Sequence, residues 1–201
     1  MKKRRPQRAA HHNVRQRILE AAETLFADKG FDATSISDIS SLSGAGRSLI
    51  YYHFKDKQDL YASILQDGEA RMLQIAEEAS SSEGTALDKL RLFMAAFSQM
   101  HVRRQAFIRV AMRVQLDDSL GLNRHAEDGF GRLSAVLAEI VRDGVARGEL
   151  RPVDPERTVH MVLGLAHSLV MMQLKAMPDS PSEENIQFAM GVLAHGIARQ
   201  P

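Results

Sequence analysis

SGAGRSLIYYHFKDKQDL, residues 43–60, decides the fold, because it joins two glycines, a cation and a run of aromatic side chains. One interpretation is the glycine-rich loop of a nucleotide-binding enzyme. The dinucleotide fingerprint needs a third glycine where this chain has Leu49, and it also needs a preceding strand. The other interpretation is a helix-turn-helix, in which Gly44 supplies the turn between two short helices. The residues around the stretch favour the helix-turn-helix.

Apolar residues on both sides of this stretch recur at the spacing of an α-helix. Ile36, Ile39 and Leu42 predict a short helix before the turn, with Ser35 and Asp38 as its capping box. After the turn, a second short helix is predicted, and its residues Ile50 and Phe54 face the protein core. Gly30 is placed to end the first long helix, and Asp154 with Pro155 to begin a late one. No strand pattern or repeat occurs, so we predict an all-α chain of about nine helices.

Composition narrows the possible functions. The 201 residues include no cysteine, which excludes disulfides, thiolate metal sites and cysteine nucleophiles. No apolar run reaches the roughly 20 residues of a membrane helix, and the basic N-terminus lacks the apolar segment of a secretory signal. We therefore expect a cytoplasmic protein with no membrane partner.

Charge is distributed unevenly along the chain. Residues 1–57 carry 11 Lys and Arg against 6 Asp and Glu, whereas the remainder carries 15 against 19. A basic N-terminal third indicates that this end faces a polyanion, although a solvated basic tail would give the same balance.

The stretch ILEAAETLFADKGFDATSISDISSLSGAGRSLIYYHFKDKQDL resembles the DNA-binding region of the TetR family of transcriptional regulators over about residues 15–65. A weaker likeness continues in VARGELRPVDPERTVHMVLGLAHSLV. The resemblance implies a basic flexible arm over 1–12 and a three-helix DNA-binding domain with the helix-turn-helix over 13–57. It also implies a helical effector-binding and dimerisation domain over 58–201.

The resemblance also implies which residues meet DNA. Arg47 stands where it could pair with a guanine, Leu49 where it could pack on a thymine methyl, and Lys57 where the family has a phosphate-contacting lysine. The full predicted set is Ser37, Gly46, Arg47, Ser48, Leu49, Tyr51, Tyr52, His53, Lys55 and Lys57.

Some of these assignments have alternatives. Tyr51 could belong partly to the core, His53 could fill space between helices, and the basic arm could be inert instead of lying along DNA. Gly46 departs from the family pattern, because many members have there a Ser or Thr that caps the recognition helix and touches phosphate.

The last two helices are expected to pair with those of a second copy into a four-helix bundle, although an intramolecular core would show the same apolar pattern. A dimer would read a palindromic operator with two DNA-binding heads, one helix-turn-helix domain from each copy. The predicted interface comprises Val162, Leu165, Ala166, Leu169, Met190, Leu193 and Ile197.

The middle helices are expected to hold a small-molecule effector, although a Met and Phe stripe at helical spacing is also typical of a plain core. The predicted lining comprises Met72, Phe93, Met94, Phe97, Met100, His101, Phe107, Met112 and Phe130. The histidines show no metal-ligand spacing, so no metal, cofactor or catalytic residue is predicted.

The sequence therefore predicts a ligand-responsive DNA-binding regulator, a repressor released from its operator by an effector, and not an enzyme. The competing classes are a helical small-molecule-binding protein that no longer reads DNA and a helical-bundle metalloenzyme. The first would lack a cationic reading surface, and the second would need carboxylate–histidine pairs.

Overall fold

A computed structural model describes the backbone of residues 5–116, 121–172 and 182–197. Within these ranges the chain forms nine helices and no strand pairing into a sheet, as predicted. The helices are α1 (Arg5–Lys29), α2 (Ile36–Ser43), α3 (Arg47–His53), α4 (Lys57–Ser80), α5 (Ala86–Arg103), α6 (Gln105–Leu116), α7 (Asn123–Ala146), α8 (Pro155–Met171) and α9 (Ser182–Ile197).

The local signals at helix ends act as the sequence predicts. Gly30 follows α1 with φ of 84°, and Asp154 caps α8 by accepting from the Arg157 amide at 2.8 Å, with Pro155 in the first turn. The start of α1 differs from the predicted arm, because the helix begins at Arg5 and includes residues 5–12. Met1 to Arg4 lie outside the described residues.

The chain divides into two compact units, and the division differs from the predicted boundary at residue 57. Unit 1 comprises Met1–Gly68 and Gln105–Ala126, and unit 2 comprises Glu69–Arg104 and Glu127–Pro201. α4 is one continuous helix that contributes to both units, and α6 belongs to the N-terminal unit.

The core of unit 1 explains why α6 belongs there. α6 packs along α1, where Arg109 pairs with Asp28 at 3.1 Å and Arg113 donates to the Ala27 carbonyl oxygen at 3.2 Å. The hydroxyl of buried Tyr61 donates to the Val110 carbonyl oxygen at 3.3 Å. The first four helices, α1, α2, α3 and α4, pack through buried side chains that include Ile18, Ala22, Phe26, Ile39, Ile50, Phe54, Leu60 and Ile64. Their spacing in sequence does not reveal the long-range partner α6.

Unit 2 is centred on α5, which packs against both α8 and α9. Thr85 caps α5 in a reciprocal box with Asp88, and Glu149 accepts from the Ala86 amide at 2.7 Å. The fully buried side chains at the centre are Leu90, Phe93, Met94, Leu137, Val141, Val159, Val162 and Ala166. None of the helices in the described part of the chain is long and apolar enough to span a membrane.

Candidate nucleic-acid interface

The turn between α2 and α3 is fixed by short-range hydrogen bonds. Ser35 and Asp38 form the predicted capping box at the start of α2, and the hydrogen bonds from Ser35 hold the pKa of the Asp38 carboxyl below its usual value. Gly44 ends α2 in the left-handed region with φ of 66°, as predicted. The Ser40 hydroxyl then donates to the carbonyl oxygen of buried Ala45 at 2.8 Å. These contacts set the angle at which α3 leaves the turn.

α3 begins without a side-chain cap. Gly46 is its N-cap residue and has no hydroxyl to accept from the first free amides of the helix. The absent capping contact agrees with the departure seen in the sequence. The carbonyl oxygen of Gly46 still accepts from the amides of Leu49 and Ile50, at 2.9 and 3.1 Å.

One side of α3 is exposed, and we call its residues Arg47, Ser48, Tyr51 and Tyr52 the reading face. Tyr51 is 55% exposed and Tyr52 73%, so neither belongs to the core. These residues lie one helical turn apart in pairs and therefore share a surface. Ile50 and Phe54 are buried behind them, as predicted.

Leu49 and His53 are half-buried beside the reading face. The His53 ring lies between its neighbours, 5.1 Å from the Tyr52 centroid and 6.3 Å from the Phe54 centroid. The ring of His53 therefore fills space beside its neighbours, and its contact with DNA stays a prediction.

Ser37 joins the reading face through Arg47. The guanidinium of Arg47 donates to the Ser37 hydroxyl, although the two residues are ten positions apart and lie on different helices. This contact holds the side chain of an exposed arginine at the edge of α3 in an ordered direction.

The two predicted phosphate-contacting lysines differ in their surroundings. Lys55 is exposed, whereas Lys57 is half-buried and its ammonium donates to two backbone carbonyl oxygens of the segment between α1 and α2. Arg15, which the sequence analysis did not single out, lies over the Phe54 ring at 5.2 Å and adds a cation beside the end of α3.

The predicted effector residues fall into two groups, one in each unit. Phe93, Met94, Phe97, Met100 and His101 are buried in α5 of unit 2. Met72 is half-buried on α4, and Phe130 is exposed beside His160, with their ring centroids 5.7 Å apart.

Phe107 and Met112 belong to unit 1, on α6. The buried ring of Phe107 packs so closely on Gly68 of α4 that a Cβ there would overlap it. Phe107 is therefore a helix-packing residue of unit 1. The sequence grouped it with α5 because both helices share the same apolar period.

His101 is the one titratable residue of the predicted effector set. Its Nδ1 lies 2.8 Å from the Phe97 carbonyl oxygen, and because a carbonyl only accepts, this nitrogen carries the proton and donates. Burial lowers the pKa of His101, the hydrogen bond to the Phe97 carbonyl opposes this, and the positive charge of nearby Arg104 acts in the same direction as burial. The ring is therefore neutral near pH 7, with Nε2 as its acceptor.

A surface cleft of about 270 Å³ also lies in unit 2. Its lining consists of Glu77, Ser80, Ser81, Val136 and Glu139, and includes none of the predicted effector residues. Among the described residues, no three His, Asp or Glu side chains cluster as metal ligands would.

The predicted dimer residues are mostly covered within their own protomer. Six of the seven are buried within their own protomer, and Leu165 is half-buried. A side chain already covered by its own core offers little surface to a partner. The large apolar side chains that α8 and α9 expose are Met161 (66%), Phe188 (74%) and Val192 (54%), which we call the partner face. The apolar spacing of α8 does not show which side is covered, because α8 is apolar on more than one side.

Comparisons with known proteins agree with this geometry. Residues 18–64 match the family described as "Bacterial regulatory proteins, tetR family", and residues 83–171 match "Tetracyclin repressor-like, C-terminal domain". The HTH-type transcriptional repressor KstR2 of Mycolicibacterium smegmatis is 30% identical over 143 residues, which cover 69% of this chain and 68% of that protein.

Two solved structures share the fold. A TetR family transcription regulator from Marinobacter aquaeolei VT8 has a TM-score of 0.79 at 20% identity, covering 96% of this chain and all of that one. The regulator FadR of Bacillus subtilis, solved in complex with stearoyl-CoA, also has a TM-score of 0.79 at 20% identity, covering 90% and 98%. The helix-turn-helix, both family matches and the relative together lead to one conclusion. The chain belongs to the TetR family of bacterial regulatory proteins.

Proposed function

We propose that this TetR-family regulator is a repressor that binds a palindromic operator as a homodimer and leaves it when a small-molecule effector binds unit 2. The observation that carries the proposal is the reading face of α3, an exposed surface held by a fixed turn. A regulator of chromosomal genes acts where the chromosome is, so we expect the protein in the bacterial cytoplasm.

The reading face supports direct recognition of bases. Arg47 has donors suited to guanine O6 and N7, and Tyr51 and Tyr52 combine ring surface with hydroxyls that reach phosphates or neighbouring bases. The hydroxyl of Ser48 can either donate or accept a hydrogen bond. Lys55 and Arg15 supply cations at the end of α3, where the DNA backbone would pass.

The partner face supports assembly as a dimer. One head with a seven-residue recognition helix reads few base pairs, and a two-fold dimer doubles the contact. Met161, Phe188 and Val192 are large apolar side chains that a second copy of the same surface can cover. The dimer would hold its recognition helices about 34 Å apart, one turn of DNA.

Unit 2 is the proposed effector-binding unit, and α4 is the helix that would transmit the effect of ligand binding to the DNA-binding head. Phe93, Phe97 and Met100 provide an apolar interior that adapts to an apolar ligand, since methionine tolerates irregular shapes. Because α4 runs without a break from unit 1 into unit 2, a ligand that favours another position of its C-terminal part changes the spacing of the heads. Release requires a differential affinity of a few kcal/mol between the two states.

Genomic footprinting with the purified protein tests this function. We expect a small number of palindromic sites, and the genes beside them narrow the effector class. A gel shift on the strongest site then measures release, with stearoyl-CoA as the first probe because a fold relative was solved with it. Lack of any protected site would refute DNA binding, and a site whose transcription rises with the protein bound would make it an activator.

A further inference from the structure

We propose that Ser37 is a positioning residue for Arg47, and that the two side chains act as a pair that selects one guanine in each operator half-site. The inference rests on the DNA binding of the proposed function and adds to it how one base position is chosen. Its structural readout does not need DNA.

The contact between the two side chains joins α2 and α3 across their turn. Ser37 is half-buried near the start of α2, and Arg47 is the exposed first residue of α3. The guanidinium donates from Nη2 to the Ser37 hydroxyl oxygen. An exposed arginine samples many rotamers, so a contact at the tip of its side chain removes much of that freedom before DNA binds.

Both residues of the pair stand on fixed backbone. The carbonyl oxygen of Ser37 accepts from the Ser41 hydroxyl one turn later, at 3.0 Å. On the other side of the turn, Arg47 stands between Ala45 and Ile50, which are both buried. The hydroxyl and the guanidinium are therefore carried by two short helices whose own positions are set by the core, and one hydrogen bond is enough to direct the arginine.

The partner of Arg47 is neutral, which preserves the positive charge for DNA. A carboxylate in its place would neutralise the guanidinium and compete with the operator for its donors. Asp38, the carboxylate nearest to Ser37 in sequence, instead accepts from the amide and the hydroxyl of Ser35, at 3.0 and 2.9 Å. Within the described ranges, no carboxylate forms an ion pair with Arg47.

The groups that the pair leaves for DNA are all donors. A guanidinium has five N–H groups, and the contact with Ser37 uses one of them. The Ser37 hydroxyl accepts in this contact and keeps its own proton to donate. In the major groove guanine presents two acceptors, O6 and N7, whereas adenine presents a donor at N6 beside N7. A surface of donors therefore favours guanine over adenine at the base that Arg47 meets.

A double-mutant cycle on operator selectivity tests the pair. Competition binding with singly substituted operators identifies the guanine at which Arg47→Ala abolishes discrimination against adenine. We expect Ser37→Val to lower discrimination at that same position about three- to tenfold, through the loss of one hydrogen bond. In an Arg47→Ala background the same substitution should change it by less than about twofold, because no guanidinium is left to hold.

A matched pair of variants separates the hydroxyl from the shape of the side chain. Threonine and valine are both β-branched and nearly equal in shape, so any cost to α2 is shared by Ser37→Thr and Ser37→Val. Ser37→Thr keeps the hydroxyl and should keep discrimination within about twofold of the parent. Ser41→Ala removes another hydroxyl of α2, one that bonds to backbone, and should also stay within about twofold.

The order of the Arg47 side chain in the free protein provides the readout without DNA. The NMR order parameter of its Nε–H should fall in Ser37→Val and keep the parent value in Ser37→Thr. An unchanged order parameter in Ser37→Val would overturn the proposal, as would unchanged discrimination or an equal loss in both Arg47 backgrounds. If the parent protein binds no DNA, the proposed function fails, and the order parameter still decides whether Ser37 positions Arg47.

Discussion

The reading face and the partner face both leave large side chains in solvent, and they differ in chemistry. The reading face on α3 presents a guanidinium and three hydroxyl groups, two of them on aromatic rings. The partner face on α8 and α9 presents Met161, Phe188 and Val192, which have no polar group that could read a base. Exposure alone therefore does not identify the partner of a surface. Hydrogen-bonding groups indicate nucleic acid, and bare apolar area indicates a second protein surface.

A charge on the partner face should produce the largest effect. Phe188→Glu puts a carboxylate on the partner face of each protomer of the proposed dimer, and burying an unpaired charge costs several kcal/mol. We expect dimer affinity to fall at least about 100-fold, since each 1.4 kcal/mol is a factor of ten. Sedimentation measures the change, and operator affinity should fall with it. Gln99→Glu adds the same charge on an exposed position of α5 as a control. A dimer of normal affinity in Phe188→Glu would remove the partner face from the interface.

Val162 lies on the covered side of α8, so its substitution tests whether that side belongs to the core or to the dimer interface. Val162→Ala leaves a small cavity in the core of unit 2, so we expect the free energy of unfolding to fall by roughly 2 kcal/mol. Denaturant unfolding and sedimentation on the same sample check this, and the dimer affinity per folded protomer should stay the same. Dissociation in Val162→Ala without loss of stability would restore the interface that the sequence predicts.

On the reading face, Arg47→Ala should cost about 1–3 kcal/mol of operator affinity and relax selectivity at one base position. Competition binding with singly substituted operators measures both quantities. Arg157→Ala, which removes an exposed arginine of unit 2, is the control for lost charge. If selectivity survives intact in Arg47→Ala, this arginine does not read a base.

Lowering the pH should destabilise unit 2 through the protonation of His101. Because burial lowers the pKa of His101, the unfolded chain takes up this proton first. Stability should therefore fall as the pH drops below about 6.5 until the pKa of the folded protein is reached. We expect His101→Gln to flatten that part of a profile of Tm against pH. His195→Gln, at an exposed histidine of α9, is the control, and an identical profile in His101→Gln would contradict the prediction.

The smallest expected effect lies at the start of the reading face. Gly46 has φ of −59°, and no atom outside its chain neighbours comes nearer than 4.0 Å to a Cβ there, so a side chain fits. We expect Gly46→Ser to raise the free energy of unfolding by a few tenths of a kcal/mol through an N-cap hydrogen bond. Gly46→Ala adds a side chain without an acceptor and should not stabilise. Equal stability of the two variants would rule out the cap.

The sequence predicted the helix ends well because their causes are local. Ser35 with Asp38, the left-handed Gly44 and the cap at Asp154 each depend on residues within a few positions. The reading face followed from the same short stretch, since Ile50 and Phe54 fix which side of α3 is buried.

Features that depend on distant partners could not be predicted in this way. The donors of Lys57 reach carbonyls 23 and 26 residues earlier in the chain, and Arg113 reaches one 86 residues earlier. Which side of α8 is covered depends on its contact with α5. The apolar periodicity of α8 itself does not reveal that contact. Apolar spacing shows that a residue is suited to burial, but it does not identify the neighbour.

The position of α6 in unit 1 limits how this protein can exchange parts with its relatives. The chain enters unit 1 twice, and the C-terminal end of α1 is bound by Arg109 and Arg113 from the second passage. A recombination event, or a chimera made by cutting after α4 begins, would separate the head from these arginines. A transferable head must therefore carry α6 with it, which makes the helices on either side of α6 difficult to replace one at a time.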